Sequence, residues 1–320
     1  MDRCNFRCPY CMPEDQYHPA FRFMTHQERL SFEEILRLTR LFAGLGARKL
    51  RITGGEPLLR SQLSELVGEL SQISGIEDIA LTTNGVLLQQ QAAKLKAAGL
   101  HRVTVSLDSL DDRIFSHLSG GRGGKRRVLE GIEAALDAGL EPVKVNIVLQ
   151  KGVNDEGIFD LLENFRNTAV VPRFIEYMDV GTINHWSPKD TVSSAELIRR
   201  IGQRWPLEPL DSNYHGEVAR RYRYSDGAGE VGFISSVSEP FCRDCTRARL
   251  SSDGKLFLCL FAEKGLNLRG PMREGASDGD LLALIGNAWR ARSDRYSEQR
   301  ADLSKSNEET HRVEMYYIGG

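Results

Sequence analysis

A chain of 320 residues is long enough for one large barrel or two domains, and an apolar share of 41% supports a sizeable core. Forty-two lysines and arginines nearly balance 44 aspartates and glutamates, and the net charge of −2 offers no basic field for a nucleic acid or an anionic membrane surface. No apolar run reaches the roughly 18 residues a membrane helix needs, and Met1-Asp2-Arg3-Cys4 is no signal peptide, so a cytoplasmic protein is expected.

The first informative stretch is Cys4-Asn5-Phe6-Arg7-Cys8-Pro9-Tyr10-Cys11. Cysteines at this spacing can reach one small inorganic centre from a single loop, and thiolates hold iron–sulfur clusters. The chain has six cysteines; the other three are Cys242, Cys245 and Cys259, so two triads use them all. Unpaired cysteines at motif spacing fit a reducing compartment rather than a disulfide framework. A four-iron cubane takes four ligands, so each triad would leave one iron open to a substrate or cofactor. The alternative is structural zinc, held by three cysteines and one of the seven histidines, and it competes most closely at the second triad.

Further along, Ser31-x-x-Glu34 is a capping box. Ile35, Leu38, Phe42 and Leu45 then predict a helix over 31–45 that ends at Gly44 and Gly46. A strand over Lys49–Thr53 breaks at Gly54-Gly55-Glu56-Pro57, and a helix follows at about 60–73. The unit repeats: strand Ile79–Thr83, turn Asn84-Gly85, helix to Ala98; strand Val103–Leu107, a loop, a helix over 126–138; strand Val143–Leu149, a helix from Asp155 to Asn167; strand Arg173–Met178. Such alternation predicts a parallel sheet, and the number of units favours a barrel or partial barrel over a doubly wound sheet. Near residue 180 the pattern changes. Gly181 to Trp186 reads as a loop, and Ser193-x-x-Glu196 caps a helix. Strand-like runs follow at 217–224 and 231–235, then the second cysteine group and a helix over 279–292. Residues 1–180 are expected to form the partial barrel, and 181–320 a smaller region capping its mouth.

The run Gly120-Gly121-Arg122-Gly123-Gly124-Lys125 lacks the glycine spacing and the hydroxyl residue of a phosphate loop and reads as a crossover loop. In a parallel barrel the chemistry sits at the carboxyl ends of the strands. Gly54-Gly55-Glu56, Thr82-Thr83-Asn84, Ser106-x-Asp108 and Met178-Asp179 occupy such ends. Lys49, Arg51, Lys144 and Arg173 lie within or beside strands, where buried charge is costly unless paired. Arg247 and Arg249, one residue apart beside the second triad, suit bidentate contact with an anionic group.

Together these motifs carry a resemblance. Cys4-x3-Cys8-x2-Cys11 with an aromatic before the last cysteine, followed by Gly54-Gly55-Glu56-Pro57, resembles radical S-adenosylmethionine enzymes. The second triad, the Thr246-Arg247-Ala248-Arg249 run and the terminal Gly319-Gly320 make the whole chain similar to the GTP 3′,8-cyclase family of molybdenum cofactor biosynthesis. The resemblance implies two 4Fe–4S clusters, on Cys4, Cys8 and Cys11 and on Cys242, Cys245 and Cys259. S-adenosylmethionine would bind the first cluster, with Tyr10, Gly55, Ser106 and Met178 holding it, and its reductive cleavage would yield a 5′-deoxyadenosyl radical. That radical would take hydrogen from C3′ of GTP, and C3′ would attack C8, giving a 3′,8-cyclised dihydro-GTP. Guanine would sit on the second cluster, and Arg51, Thr82, Lys144, Arg247 and Arg249 would contact GTP, with Lys49 and Arg173 in matching segments. Arg51, Lys144 and the tail Gly319-Gly320 are implied to take part in catalysis. The family also implies a homodimer, a low-potential electron donor and a downstream cyclic pyranopterin synthase. Its members carry a strand, with a triphosphate-contacting arginine, before the first motif. Only Met1-Asp2-Arg3 precede Cys4 here, so either the start is assigned too late or the first barrel strand is missing, and GTP binding of this chain is expected to be weaker than in a longer form. Two rivals remain at this point: another two-cluster radical maturase, and a non-catalytic iron–sulfur or zinc protein.

Overall fold

The computed structural model describes residues 1–242, 244–303 and 312–319. Strands β1 (Lys49–Ile52), β2 (Asp78–Thr83), β3 (Arg102–Ser106), β4 (Val143–Leu149) and β5 (Val170–Glu176) pair in sequence order, each parallel to the next. Helix α1 (Phe32–Gly44) leads into β1, and helices α2 (Leu63–Ser71), α3 (Ala92–Ala97), α4 (Asp112–Leu118), α5 (Lys125–Asp137) and α6 (Ile158–Phe165) fill the crossovers. The expected alternation of strand and helix is therefore present. The stretch read as a loop after β3 contains α4, capped by the Asp111 carboxylate, which accepts the N–H groups of Arg113 and Ile114.

Side-chain alternation sorts the two faces of the sheet. In β4 the odd residues Val143, Val145, Ile147 and Leu149 are buried against the helices, with Ile132, Leu161 and Leu162 in the same core. The even residues Lys144 and Asn146 turn to the concave face, as Arg173 does in β5. One face is thus an apolar core and the other is lined with polar groups.

Beyond β5 the sheet continues. Helix α7 (Ser194–Arg204) leads into β6 (Leu207–Leu210), β7 (Arg220–Tyr224) and β8 (Glu230–Ile234). The strand order is β1-β2-β3-β4-β5-β8-β7-β6, with β8 parallel to β5 and with β6 and β7 antiparallel. Residues 207–234, placed by sequence in the second region, extend the main sheet; Phe174 and Phe233 stack at 6.1 Å across the β5–β8 pair. Among the described residues no strand pairs with the outer edges of β1 and β6, so the barrel is an incomplete TIM-like one. The β6–β7 loop spans back to β1, where the ring of Tyr214 lies 3.3 Å from Lys49 Nζ.

A second, three-stranded sheet of β9 (Arg249–Leu250), β10 (Lys255–Phe257) and β11 (Leu266–Asn267) follows, with α8 (Arg269–Arg273) and α9 (Asp278–Arg290). Leu256, Leu268, Met272, Leu281 and Ile285 pack with Leu38 and Leu41 of α1 in a separate core. Helix α10 (Tyr296–Leu303) and the short α11 (Met315–Ile318) complete the chain.

Candidate active site

The first cysteine loop is held by its own backbone. The Cys8 carbonyl accepts the N–H groups of Cys11 (3.0 Å) and Met12 (2.9 Å). Arg7, buried beneath it, donates to the carbonyls of Cys4 (2.8 Å), Phe6 (2.8 Å) and Tyr17 (2.9 Å). All three thiols are unpaired. Burial pushes the Cys4 thiol up to about 11; burial also raises Cys8, helped by Cys11 and Cys4, and Cys11, helped by Cys4 and Glu314. A cationic centre would favour their thiolate forms, and a soft thiol set suits an iron–sulfur cluster or zinc. Among the described residues no three His, Cys, Asp or Glu side chains close on a single metal ion.

Around this loop the strand ends supply the predicted cofactor residues. Gly55 follows β1, Ser106 ends β3 and Met178 follows β5, all at the carboxyl edge of the parallel sheet. The Tyr10 hydroxyl donates to Asp108 Oδ2 at 2.7 Å, and Val148 N–H donates to Asp108 Oδ1 at 2.8 Å, so the loop is tied to β3 and β4. Glu56 is fully buried; its carboxylate accepts Leu58 N–H, Thr83 hydroxyl and Asn84 N–H at 2.8–2.9 Å, which locks the glycine turn to β2. The Gly55 N–H donates to the Met1 carbonyl and the Glu56 N–H to the Arg3 carbonyl. A Cβ on Gly54 or Gly55 would run into that backbone.

On the concave face lies a cationic group. Arg51 Nη1 donates to Thr82 Oγ1 (2.8 Å) and Thr104 Oγ1 (3.3 Å). Arg173 Nη2 donates to Asn146 Oδ1 (2.7 Å) and to the same Thr104 hydroxyl (3.3 Å). Neutral oxygens, not carboxylates, thus hold both guanidinium groups, and Arg173 Nε has no acceptor among the described residues. Lys144 is pushed down to about 8, first by burial and then by Arg173 and Arg102. Arg102 differs, because it is paired with Asp78. Glu217 offsets part of the charge on Lys144 and Arg173, but among the described residues no carboxylate is hydrogen-bonded to Arg51, Lys144 or Arg173, and cations gathered in this way form a site for an anion.

The second triad is also unpaired. Cys245 N–H donates to the Cys242 carbonyl (3.3 Å), and Arg292 Nη1 to the Cys245 carbonyl (2.6 Å). Burial would raise the Cys245 thiol, but the Arg247 charge, with hydrogen bonds from Arg247 and Arg292, brings it down to about 7. Burial raises Cys259. Arg247 Nη2 lies 3.3 Å from Cys245 Sγ. Arg249 Nε donates to the Gly319 carbonyl at 3.4 Å. Gly319 has φ +75°, and a Cβ there would strike Thr53 at the end of β1. The predicted tail residue therefore reaches both β1 and Arg249; Gly320 lies outside the described residues.

The structure also shows residues whose roles the sequence did not give. Asp108 and Asp179 stood out only as strand-end carboxylates. Tyr10 and Glu56 stood out as motif residues, but nothing local showed that Tyr10 meets Asp108, that Glu56 pins β2, or that Arg7 holds the thiol loop.

Residues 1–165 match the radical SAM superfamily and residues 170–298 match Molybdenum Cofactor Synthesis C. The GTP 3′,8-cyclase of Xanthomonas campestris pv. campestris is 51% identical over 320 residues, spanning 100% of this chain and 93% of that protein. That of Acidothermus cellulolyticus is 48% identical, spanning 100% and 94%, and that of Staphylococcus aureus 45%, spanning 100% and 94%. Among solved structures, Streptococcus suis SuiB superposes with a TM-score of 0.54 at 18% identity, over 80% of this chain and 57% of that one, a likeness of fold alone. The chain belongs to the GTP 3′,8-cyclase family of the radical SAM superfamily.

Proposed function

We propose that the protein converts GTP to (8S)-3′,8-cyclo-7,8-dihydroguanosine 5′-triphosphate, the first step of molybdenum cofactor biosynthesis. The observation that carries this reading is the concave face itself. Arg51, Lys144 and Arg173 line it, held by neutral oxygens or facing Glu217 only at a distance, and an arginine-flanked thiol triad lies in the same chain as the radical loop. A polyanionic nucleotide matches the first, and a purine ring with nitrogen and oxygen donors matches an open metal position at the second.

In this reading Cys4, Cys8 and Cys11 hold one 4Fe–4S cluster and Cys242, Cys245 and Cys259 the other. S-adenosylmethionine held at that first cluster would supply the hydrogen-abstracting chemistry directed at C3′ of GTP. Tyr10, Gly55, Ser106 and Met178 hold that cofactor against the strand ends. Arg51, Thr82 and Lys144 receive phosphate oxygens, supported by Lys49 and Arg173. Arg247 and Arg249 hold the nucleotide beside the second triad, and Gly319 and Gly320 close against it. Fixing a substrate at both ends stabilises the reactive geometry by about 7–11 kcal/mol in favourable cases. Residues 1–180 act as the radical-generating part and 181–320 as the part that presents substrate and excludes water. A homodimer, a low-potential electron donor, a cytoplasmic setting and a downstream cyclic pyranopterin synthase complete the proposal.

The test uses anaerobically reconstituted protein, reductant, S-adenosylmethionine and GTP deuterated at C3′. Deuterium in 5′-deoxyadenosine is the expected result. Deoxyadenosine without deuterium would remove GTP as hydrogen donor, and zinc without sulfide in the purified protein would remove the clusters.

A further inference from the structure

Asp179 follows Met178 where the chain leaves β5. Its buried carboxylate gathers three donors from the C-terminal part of the chain. Tyr296 hydroxyl donates to Oδ2 at 2.5 Å, Arg300 Nε to Oδ1 at 2.8 Å and Arg312 Nη1 to Oδ2 at 2.7 Å. Arg312 Nη1 also reaches the Asp179 carbonyl (2.7 Å) and the Tyr296 oxygen (2.6 Å), while Arg300 Nη1 donates to the Ser236 carbonyl (2.9 Å). Among the described residues these two guanidinium groups share this one carboxylate. Arg300 Nη2 and Arg312 Nε have no acceptor among the described residues. Removing the Asp179 charge would leave two buried cations unpaired, which is strongly unfavourable. The least costly relief is for Arg312, on the end segment, to leave.

From Arg312 the segment runs over the site. Glu314 Oε1 accepts the Thr182 N–H (2.9 Å) and hydroxyl (2.8 Å). Gly181, at φ +73°, has no room for a Cβ beside that carboxylate. The Tyr316 ring meets Tyr17, just beyond the first thiol loop, at 4.8 Å. The Tyr317 hydroxyl lies 2.7 Å from both Asp253 carboxylate oxygens, next to β10. Gly319 then stands between Thr53 and Arg249.

We infer that Asp179 is a positioning residue for the cyclisation: through Arg312 it docks the 312–319 segment so that Gly319 is held between β1 and Arg249. The inference rests on the reading above that Gly319 belongs to the substrate site. A bland alternative is that Asp179 only anchors α10 through Arg300, and Arg312 variants separate the two.

The experiment compares reconstituted full-length Asp179→Asn, Arg312→Gln, Arg312→Lys, Gly181→Ala and the double Asp179→Asn/Arg312→Gln variant. Hydrogen exchange of the 312–319 peptide is followed beside product formation and deoxyadenosine formation. Asp179→Asn, Arg312→Gln and Gly181→Ala should each speed exchange in 312–319. Asp179→Asn and Arg312→Gln should lower kcat for product by about 10²-fold, the scale of a small misplacement, while deoxyadenosine continues to form without matching product. Arg312→Lys should recover part of the loss, and the double variant should be no worse than its worse parent. Unchanged exchange, faster exchange with wild-type turnover, or additive losses in the double variant would each overturn the inference. If Asp179→Asn fails to fold, Arg312→Gln decides alone. If the wild-type protein transfers no deuterium from GTP, the substrate reading fails, and the exchange data still decide the docking.

Discussion

At the scale of single residues the strongest lever is Lys144. Its folded value of about 8 lies below the ordinary 10.5, so between those limits the unfolded chain binds more protons and folding stability rises with pH. Ligand binding runs the other way. A bound polyanion favours the charged ammonium. Below about pH 8 that charge is already present, and above it binding must take up a proton. GTP affinity should therefore fall as pH rises from about 7 to about 10, and Lys144→Met should weaken binding and flatten the profile. Equilibrium binding across that range checks this; a flat wild-type profile would remove Lys144 from the anion site. The six cysteines and the strand cations were legible because their signals are local, a spacing in one case and a side-chain alternation in the other. The partners of Asp108 and Asp179 were not, because Tyr10 is 98 residues from Asp108 and Arg312 is 133 from Asp179. No periodicity reports such a pairing.

At the scale of elements, legibility followed length. Strands β4 and β5 have seven residues each and alternate cleanly; β4 was readable to its bounds, while β5, read as Arg173–Met178, in fact starts at Val170 and ends at Glu176. Strands β9 and β11 have two residues each and β10 three, too short for a pattern, and their sheet is defined by pairing and by the core with α1. The same holds for β6, whose Pro209 argues against a strand until β7 supplies a partner on one side only. Helix α1 shows what a readable cap is worth. Ser31 Oγ accepts the Glu34 N–H, the Glu34 carboxylate accepts the Ser31 N–H, and the same carboxylate pairs with Arg273 Nε at 2.6 Å. Ser31→Ala should cost about 1 kcal/mol, read as a lower denaturant midpoint with an unchanged slope. An unchanged midpoint would mean that Arg273 alone fixes this helix end.

At the scale of the molecule, the C-terminal region works in two places. Its strands β6–β8 extend the barrel sheet, and its last residues cross from Asp179 to β1. That division was only partly visible in sequence, because the change of character near residue 180 marks no break in the sheet: β6 still runs parallel to β5, and the chain first reverses in the β6–β7 hairpin. The edge of β1 is consequently bridged by side chains instead of a ladder of hydrogen bonds. Lys49 and Tyr214, the latter 42% exposed, meet there through a ring face. A contact of this kind at an exposed position is worth about 0.5–1 kcal/mol, close to thermal energy, so it breaks and reforms as fast as surface loops move. Were nucleotide to enter across this seam, its arrival would be governed by encounter and its residence by how often the ring swings back. Tyr214→Ala should leave the association rate constant for GTP near wild type and raise the dissociation rate constant, as stopped-flow mixing would show; a slower association would mean that the aromatic guides the nucleotide in.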